Sequence, residues 1–491
     1  MKKRQILTLV SLMLVAGTLV CSGCGKSENL KSSAPVEKTF QEVSVHDPSV
    51  VQGDDGAYYI FGSHLAVAKT EDLMNWTYVN QGIKNSNTVI PNVVNEMSEA
   101  FEWSHSNTFW APDVVKLNDG TYEMYYCNCE GSSPLSCLGM ASAPSVEGPY
   151  TNQGIILKSG QDASDPDEDG DLYQATQDPN TVDPTTFYDN DGKLWMVYGS
   201  YSGGIFIKEM DTETGEPLES GYGKKLLGAN HLRIEAPYIM YNPETEYYYL
   251  FLSFGGLDTT GGYNIRVSRS KTPDGPYLDS MGQDLIDCKG PSGTTFSDVT
   301  AQQYGTKLMG NYKFTWEEGE EGENRKGYLS PGHNSILYQE ETDKYFIIYH
   351  TRFENSGEEH QVRVHQMFFN EDGWPVIAPY RYTEETIEKV EKGDVSTTYK
   401  FINHGREIST DINESENIEL KSNGKITGAV EGTWELKGDN AVSLTIDGDT
   451  YDGYFLKQWD EDGLKNVMTF TALCEETGIS VWGSGLYAIE E

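Results

Sequence analysis

Hydrophobic and polar residues alternate along this chain in short bursts, and one burst recurs. "DPSVVQGDDGAYYIFGS" begins at Asp47, "APDVVKLNDGTYEMYYC" at Ala111 and "DPTTFYDNDGKLWMVYGS" at Asp183. "APYIMYNPETEYYYLFLS" follows at Ala236, and a looser copy, "HNSILYQEETDKYFIIYHT", at His333. Each copy holds a run of β-branched or aromatic residues, a polar turn and a second apolar run, the signature of a β-hairpin. Further strand-like runs such as "LGMASAP" and "YNIRVSRS" lie between the copies. About four strands per unit is the size of a propeller blade. The pattern therefore predicts an all-β fold, a five-bladed β-propeller over residues 41–382. A β-sandwich of hairpins is the alternative, but it gives no reason for special residues where each hairpin starts.

The pattern changes after "DGWPVIAPYRY". Residues 383–396 are charged and read as a linker. Over 397–491, short alternating runs such as "AVSLTIDG" and "NVMTFTAL" predict a small C-terminal β-barrel or sandwich. At the other end, "MKKRQ" followed by "ILTLVSLMLVAGTLV" reads as a signal peptide over residues 1–23, because the apolar run is too short for a stable span. Ser22 and Gly23 before Cys24 resemble a bacterial lipoprotein cleavage box. That makes Cys24 the lipidation site and 24–40 a tether to the membrane surface. Cys21 stands where such boxes usually carry Leu, and ordinary signal-peptidase cleavage is the other reading.

Composition narrows the partners. A chain of 491 residues has room for two domains. Asp and Glu number 76 against 36 Lys and Arg, a formal charge of -40. Such a surface repels nucleic acid and anionic lipid, so membrane contact is expected only through a lipid anchor. A neutral ligand such as a sugar is compatible with it, and the chain is expected to act as a monomer. Beyond Cys21 and Cys24, the cysteines are Cys127, Cys129, Cys137, Cys288 and Cys474. Their odd number and spacing show no disulfide framework or zinc motif, so free thiols are expected.

Chemistry enters through register. In a propeller, equivalent residues of different blades converge at one end of the central axis. The hairpin-start register holds Asp47, Ala111, Asp183, Ala236 and His333, with Glu235 one residue before Ala236. Asp before Pro is a common turn initiator, and for one Asp-Pro that reading suffices. Three acids at matching registers beside two alanines point instead to a site. Two carboxyl groups across a pocket are what glycoside hydrolysis needs, one to activate water and one to protonate the leaving oxygen. A third raises the acid's pKa by like-charge repulsion.

The motifs "VHDPSVV", "FWAPDVV", "QDPNTVDPTTFYDNDGKLWMVYGSYSGGIF", "HLRIEAPYIMYNPETEYYYLFLSFGGL", "GYNIRVSRSKTPDGPY" and "YLSPGHNSILY" resemble glycoside hydrolase family 43, over about residues 43–382. Within it they resemble the extracellular endo-1,5-α-L-arabinanases, and "GTWELKGDN…LKQWDEDG…MTFTAL" resembles the extra domain of two-domain members. The resemblance implies a five-bladed propeller, an inverting mechanism and an arabinan or arabino-oligosaccharide substrate. By the same match Asp47 is the general base, Glu235 the general acid, and Asp183 the residue that tunes and orients the acid. His333 matches the family's central histidine beside a bound metal, usually calcium, coordinated largely through water.

Asp47, Asp183, Asn180, Ser200 and Tyr201 match sugar-contacting stretches, and Gly139 is expected to let a sugar approach the backbone. Trp110 reads as a stacking platform or as packing between blades. His46 contacts substrate or packs within its blade, and Trp76 reads as structural. "DPDEDGDLYQAT" from Asp165 opens like a calcium loop but has Thr176 at the twelfth position, so a solvated acidic loop is expected. Two other readings remain: an exo-acting arabinofuranosidase or β-xylosidase of the same family, and a non-catalytic surface glycan-binding lipoprotein.

Overall fold

A computed structural model gives the structure, which describes residues 38–161, 172–318, 320 and 325–489. The leader at 1–23, Cys24, all but the end of the 24–40 tether, and residues 165–171 of the acidic loop lie outside the described residues. Among the described residues, no helix is long and apolar enough to cross a membrane.

The recurring hairpins grow into antiparallel meanders. Ser49–Gln52, Tyr58–Gly62, Ala66–Thr70 and Thr77–Asn80 pair in chain order as one four-stranded sheet. Asp113–Lys116, Tyr122–Cys129, Ser136–Ala143 and Thr151–Ser159 form a second. Thr185–Tyr188, Leu194–Tyr198, Ile205–Met210 and Lys224–Leu227 form a third. Ile234–Asn242, Tyr247–Phe254, Asn264–Ser270 and Thr306–Met309 head a twelve-stranded sheet. Tyr328–Gln339, Lys344–Phe353, His360–Phe369 and Pro375–Ile377 belong to a six-stranded sheet. The second strand of each hairpin is the most apolar, and Tyr122–Cys129 is buried at every position. Strands covered on both faces need such unbroken runs.

Neighbouring sheets bury side chains between them in sequence. Tyr59 and Phe61 pack with Met124 and Tyr126. Tyr125 and Leu138 pack with Met196 and Tyr198, and Val197 and Ile207 with Leu250 and Leu252. Phe251 and Val267 meet Ile347 and Tyr349. Leu337, Phe346 and Ile348 return to Tyr58 and Ile60, so the chain of sheets closes on itself. The result is an all-β, propeller-like arrangement, not two facing sheets. Trp76 lies in the closing cluster, as its structural reading requires.

The C-terminal region closes as a barrel. Ile479–Gly485 pairs with both Thr398–Asn403 and Lys465–Cys474, so the strands between leave no free edge. Tyr399, Trp434, Phe455 and Phe470 fill its interior. Residues 383–396, read as a linker, place Val390 and Val395 in that same core. Two valines in a charged stretch are enough to pin it down. The barrel also joins the propeller sheet by sheet: Lys307 pairs in parallel with Ile479, and Tyr312 with Asn413. The five cysteines among the described residues are free and buried.

A buried ion pair locks the junction. Arg325 donates from Nη1 and Nη2 to Asp460 Oδ1 and Oδ2 at 2.9 and 2.6 Å, and the two side chains are 2% and 1% exposed. Glu320 Oε1 also lies 3.0 Å from Nη2, but removing Asp460 takes away the bidentate partner and leaves a buried guanidinium with its Nη1 unpaired. Asp460→Ala is expected to lower stability by about 3–5 kcal/mol, read as a reduced midpoint in urea unfolding.

Candidate active site

One backbone feature marks the hairpin-start register. Asp47, Asp183, Ala236 and His333 have φ of 58°, 55°, 55° and 47°. Non-glycine residues rarely adopt such angles, and they concentrate where surrounding structure enforces them. Ladder pairing also slips beside two of the four, between Glu235 and Tyr238 and between Gly332 and Ser335. Such bulges re-aim side chains next to active sites. Here they bring residues far apart in sequence into contact: His333 Nδ1 lies 2.9 Å from Asp47 Oδ1, and Ala236 N donates to Asp183 Oδ2 at 3.2 Å.

Asp47 is 8% exposed and richly held. Ser63 Oγ donates to its Oδ2 at 2.6 Å, and His46 Nδ1 lies 2.7 Å from the same oxygen. Its backbone N donates to His350 Nδ1 at 3.2 Å. Burial alone raises the carboxyl pKa, but the charges of His333 and His46 outweigh it and hold Asp47 well below the usual carboxylate range. Burial disfavours the charged imidazole of His333, yet Asp47 first, then Asp183 and Glu235, lift it to about 9.

Glu235 lies in a different environment. Ser200 Oγ donates to its Oε2 at 2.7 Å and Tyr263 Oη to its Oε1 at 2.9 Å. Burial pushes its pKa up against those hydrogen bonds and against His333. Burial also pushes Asp183 up; His333 opposes, and the charges of Glu235 and Asp47 add to the rise. Like charges confined together cannot all ionise, so the Asp183–Glu235 pair retains a proton that Asp47 has lost. The site thus sets Asp47, lowered by its histidines, against a pair of carboxyls raised by burial.

The other expected residues divide. Ser200 holds Glu235, and Tyr201 follows it with φ 48° and its hydroxyl donating to Gly255 O at 3.4 Å. Asn180 is buried and accepts from Ser136 Oγ, three residues before Asp183. Trp110 is half-buried and packs on Cys127, Cys129 and Val182. His46 stacks on His350 with ring centroids 4.0 Å apart. Gly139 is a correction. It lies mid-strand, and a Cβ there would fall 2.4 Å from the Tyr126 ring and 2.7 Å from Gly154 O. Its missing side chain makes room for a neighbouring tyrosine, not for a sugar.

Ser63, Tyr263 and His350 were not foreseen. One signal for Tyr263 was available in "PGHNS": a Cβ on Gly332 would lie 2.4 Å from the Tyr263 ring, so that glycine lets the tyrosine pass to Glu235.

The donors bear on the expected calcium. His46, Asp47 and His350 bring their donor atoms within 4.8 Å of one another, but two imidazoles and one carboxylate make no oxygen cage for a hard cation. His333 spends Nδ1 on Asp47, and among the described residues its Nε2 has no hydrogen-bond partner. That nitrogen can hold a water-rich cation only as a neutral imidazole, with the Nδ1 proton kept on the bond to Asp47, so a bound cation would replace the second ring proton that the three carboxyls otherwise favour.

Comparison with known proteins places this arrangement. Residues 36–375 match Glycosyl hydrolases family 43, and residues 379–483 match a C-terminal lipocalin-like domain. The chain is 56% identical to the extracellular endo-α-(1→5)-L-arabinanase 2 of Bacillus subtilis strain 168, covering 91% of this chain and 93% of that one. It is 48% identical to the extracellular endo-α-(1→5)-L-arabinanase of Thermotoga petrophila RKU-1, over 92% of this chain and 95% of that one. A crystal structure of a family 43 glycoside hydrolase from Bacillus licheniformis superposes with a TM-score of 0.87 at 57% identity, covering 91% of this chain and 99% of that one.

Proposed function

The chain belongs to glycosyl hydrolases family 43, and from that premise we propose that it cleaves internal α-1,5-L-arabinofuranosidic bonds of arabinan by an endo-acting, inverting mechanism. The observation that carries this reading is the contrast between two carboxyl groups. Asp47 is held ionised by His333 and His46, whereas Glu235 has a raised pKa and is aimed by Ser200 and Tyr263. Asp47 accepts a proton from the water that attacks the anomeric carbon. Glu235 gives its proton to the departing sugar oxygen. Asp183, bonded to the backbone N next to Glu235, orients that acid and shares a proton with it, so that the pair as a whole resists ionisation.

The similarity to two extracellular endo-arabinanases supports the substrate and the setting. We extend the proposal to a secreted protein with signal peptide 1–23, tethered through a lipid on Cys24 and acting as a monomer. The ring is read as five blades, supported by the five recurring hairpins, and residues 397–491 as the C-terminal domain. Calcium is proposed as the cation, with His333 Nε2 as its protein ligand. When bound, it supplies positive charge that favours ionised carboxylates.

The test is the product profile. Early digestion of linear arabinan is expected to give a spread of oligosaccharides, with little action on xylan and a loss of rate on adding a chelator. Monomer alone as the first product overturns endo action, and binding without turnover overturns hydrolysis.

A further inference from the structure

We propose that Phe296, backed by Tyr201, forms a sugar-stacking subsite on the leaving-group side of Glu235, an inference that rests on the arabinan reading.

Phe296 is 53% exposed. A lone surface aromatic needs no explanation by itself. Its backbone does: φ is 55°, a conformation that is a true outlier for a bulky side chain. The surroundings impose it. Phe296 N donates to His231 O at 3.1 Å, and Asp298 N donates to Phe296 O at 2.9 Å. The Asp298 carboxylate in turn pairs with Arg233, whose Nε donates to Oδ1 at 3.1 Å. Further back, Asn230 Nδ2 donates to Gly290 O at 2.7 Å. The loop that carries Phe296 is therefore fixed at both ends to residues 230–233, immediately before the strand that carries Glu235.

The ring itself points at the same place. Its centroid lies 5.7 Å from that of Tyr201, edge to face at 69°. Tyr201 follows Ser200, which donates to Glu235. Phe296 thus stands against the tyrosine that follows the acid's hydrogen-bond partner, on a loop anchored to the residues that lead into the acid's own strand. Strained backbone that holds an exposed aromatic rigid beside a catalytic acid is what a stacking platform requires. Arabinofuranose rings offer C–H faces to an aromatic face, and a rigid ring loses little entropy when it is covered. Because Glu235 protonates the departing oxygen, the sugar units beyond that oxygen are the ones that meet Phe296.

The test uses Phe296→Asn, which deletes the ring while suiting the left-handed backbone, so the fold is retained. Linear arabino-oligosaccharides of increasing length are the substrates, with Phe296→Tyr as the conservative control. We expect kcat/KM for long substrates to fall about tenfold through KM, with the shortest cleaved substrate within about twofold of wild type. Phe296→Tyr is expected to restore the long-chain preference. Equal losses at every length, or none, overturn the subsite. A wild-type protein that leaves arabinan intact overturns instead the functional reading beneath it.

Discussion

Asp47→Asn lowers kcat on linear arabinan by about 10⁴-fold, and the protein remains folded. The substitution keeps the shape and most hydrogen bonds: Ser63 can still donate to the remaining oxygen, and Asn tolerates the φ of 58° at this position. What is lost is the charge. Without it no group beside His333 can take a proton from water, and the imidazolium of His333 loses its main partner. An Asp47→Asn protein that hydrolyses arabinan within tenfold of wild type would remove Asp47 from the role of base. Circular dichroism and the unfolding midpoint, read beside kcat, separate this outcome from misfolding.

Glu235→Gln is expected to lower kcat on arabinan by about 10³-fold and to change the pH profile. The base acts ionised, so its contribution is present above the depressed pKa of Asp47 and is lost only in strong acid. The acid acts protonated, so its contribution is present below its raised pKa and is lost as pH rises through that value. Wild type should therefore show an alkaline limb, and Glu235→Gln should flatten it. A leaving group that needs no proton gives the sharper result. An arabino-oligoside of an acidic nitrophenol should be cleaved by Glu235→Gln at close to the wild-type rate. A loss on that substrate as large as on arabinan would show that Glu235 does not act as the acid.

Much of the site was legible because propeller chemistry is written in register. Asp47, Asp183, Ala236 and His333 stand at matching hairpin starts in the sequence, and all four share the left-handed backbone in the structure. Ala111 occupies the same place in its copy but is not among the left-handed residues, so register is not conformation at every copy. What could not be read were contacts across sheets. His350 reaches Asp47 only once the ring closes, and no local pattern states which strand will face which. Ser63 and Tyr263 lie at the ends of strands in the acids' own sheets, where the aim of the side chain, not the strand pattern, makes the contact. Gly139 shows the converse error: a glycine in a strand signals a close approach, but the sequence does not say whether ligand or Tyr126 approaches. The barrel core was legible as alternating runs. Its union with the propeller through Lys307 and Ile479 was not, because those residues are 172 positions apart and share no periodic signal.

The shared left-handed turns have an evolutionary consequence. Each acts as a perch of one geometry, repeated around the ring and facing the same small volume. Aspartate and asparagine sit on such a perch more comfortably than most residues, so an acid can be gained or surrendered there without redrawing the blade beneath it. Ala236 occupies a perch of the same shape as those of Asp47 and Asp183. Duplication of a hairpin thus delivers a ready socket along with a strand pair, and new specificities can arise by reassigning which sockets are filled.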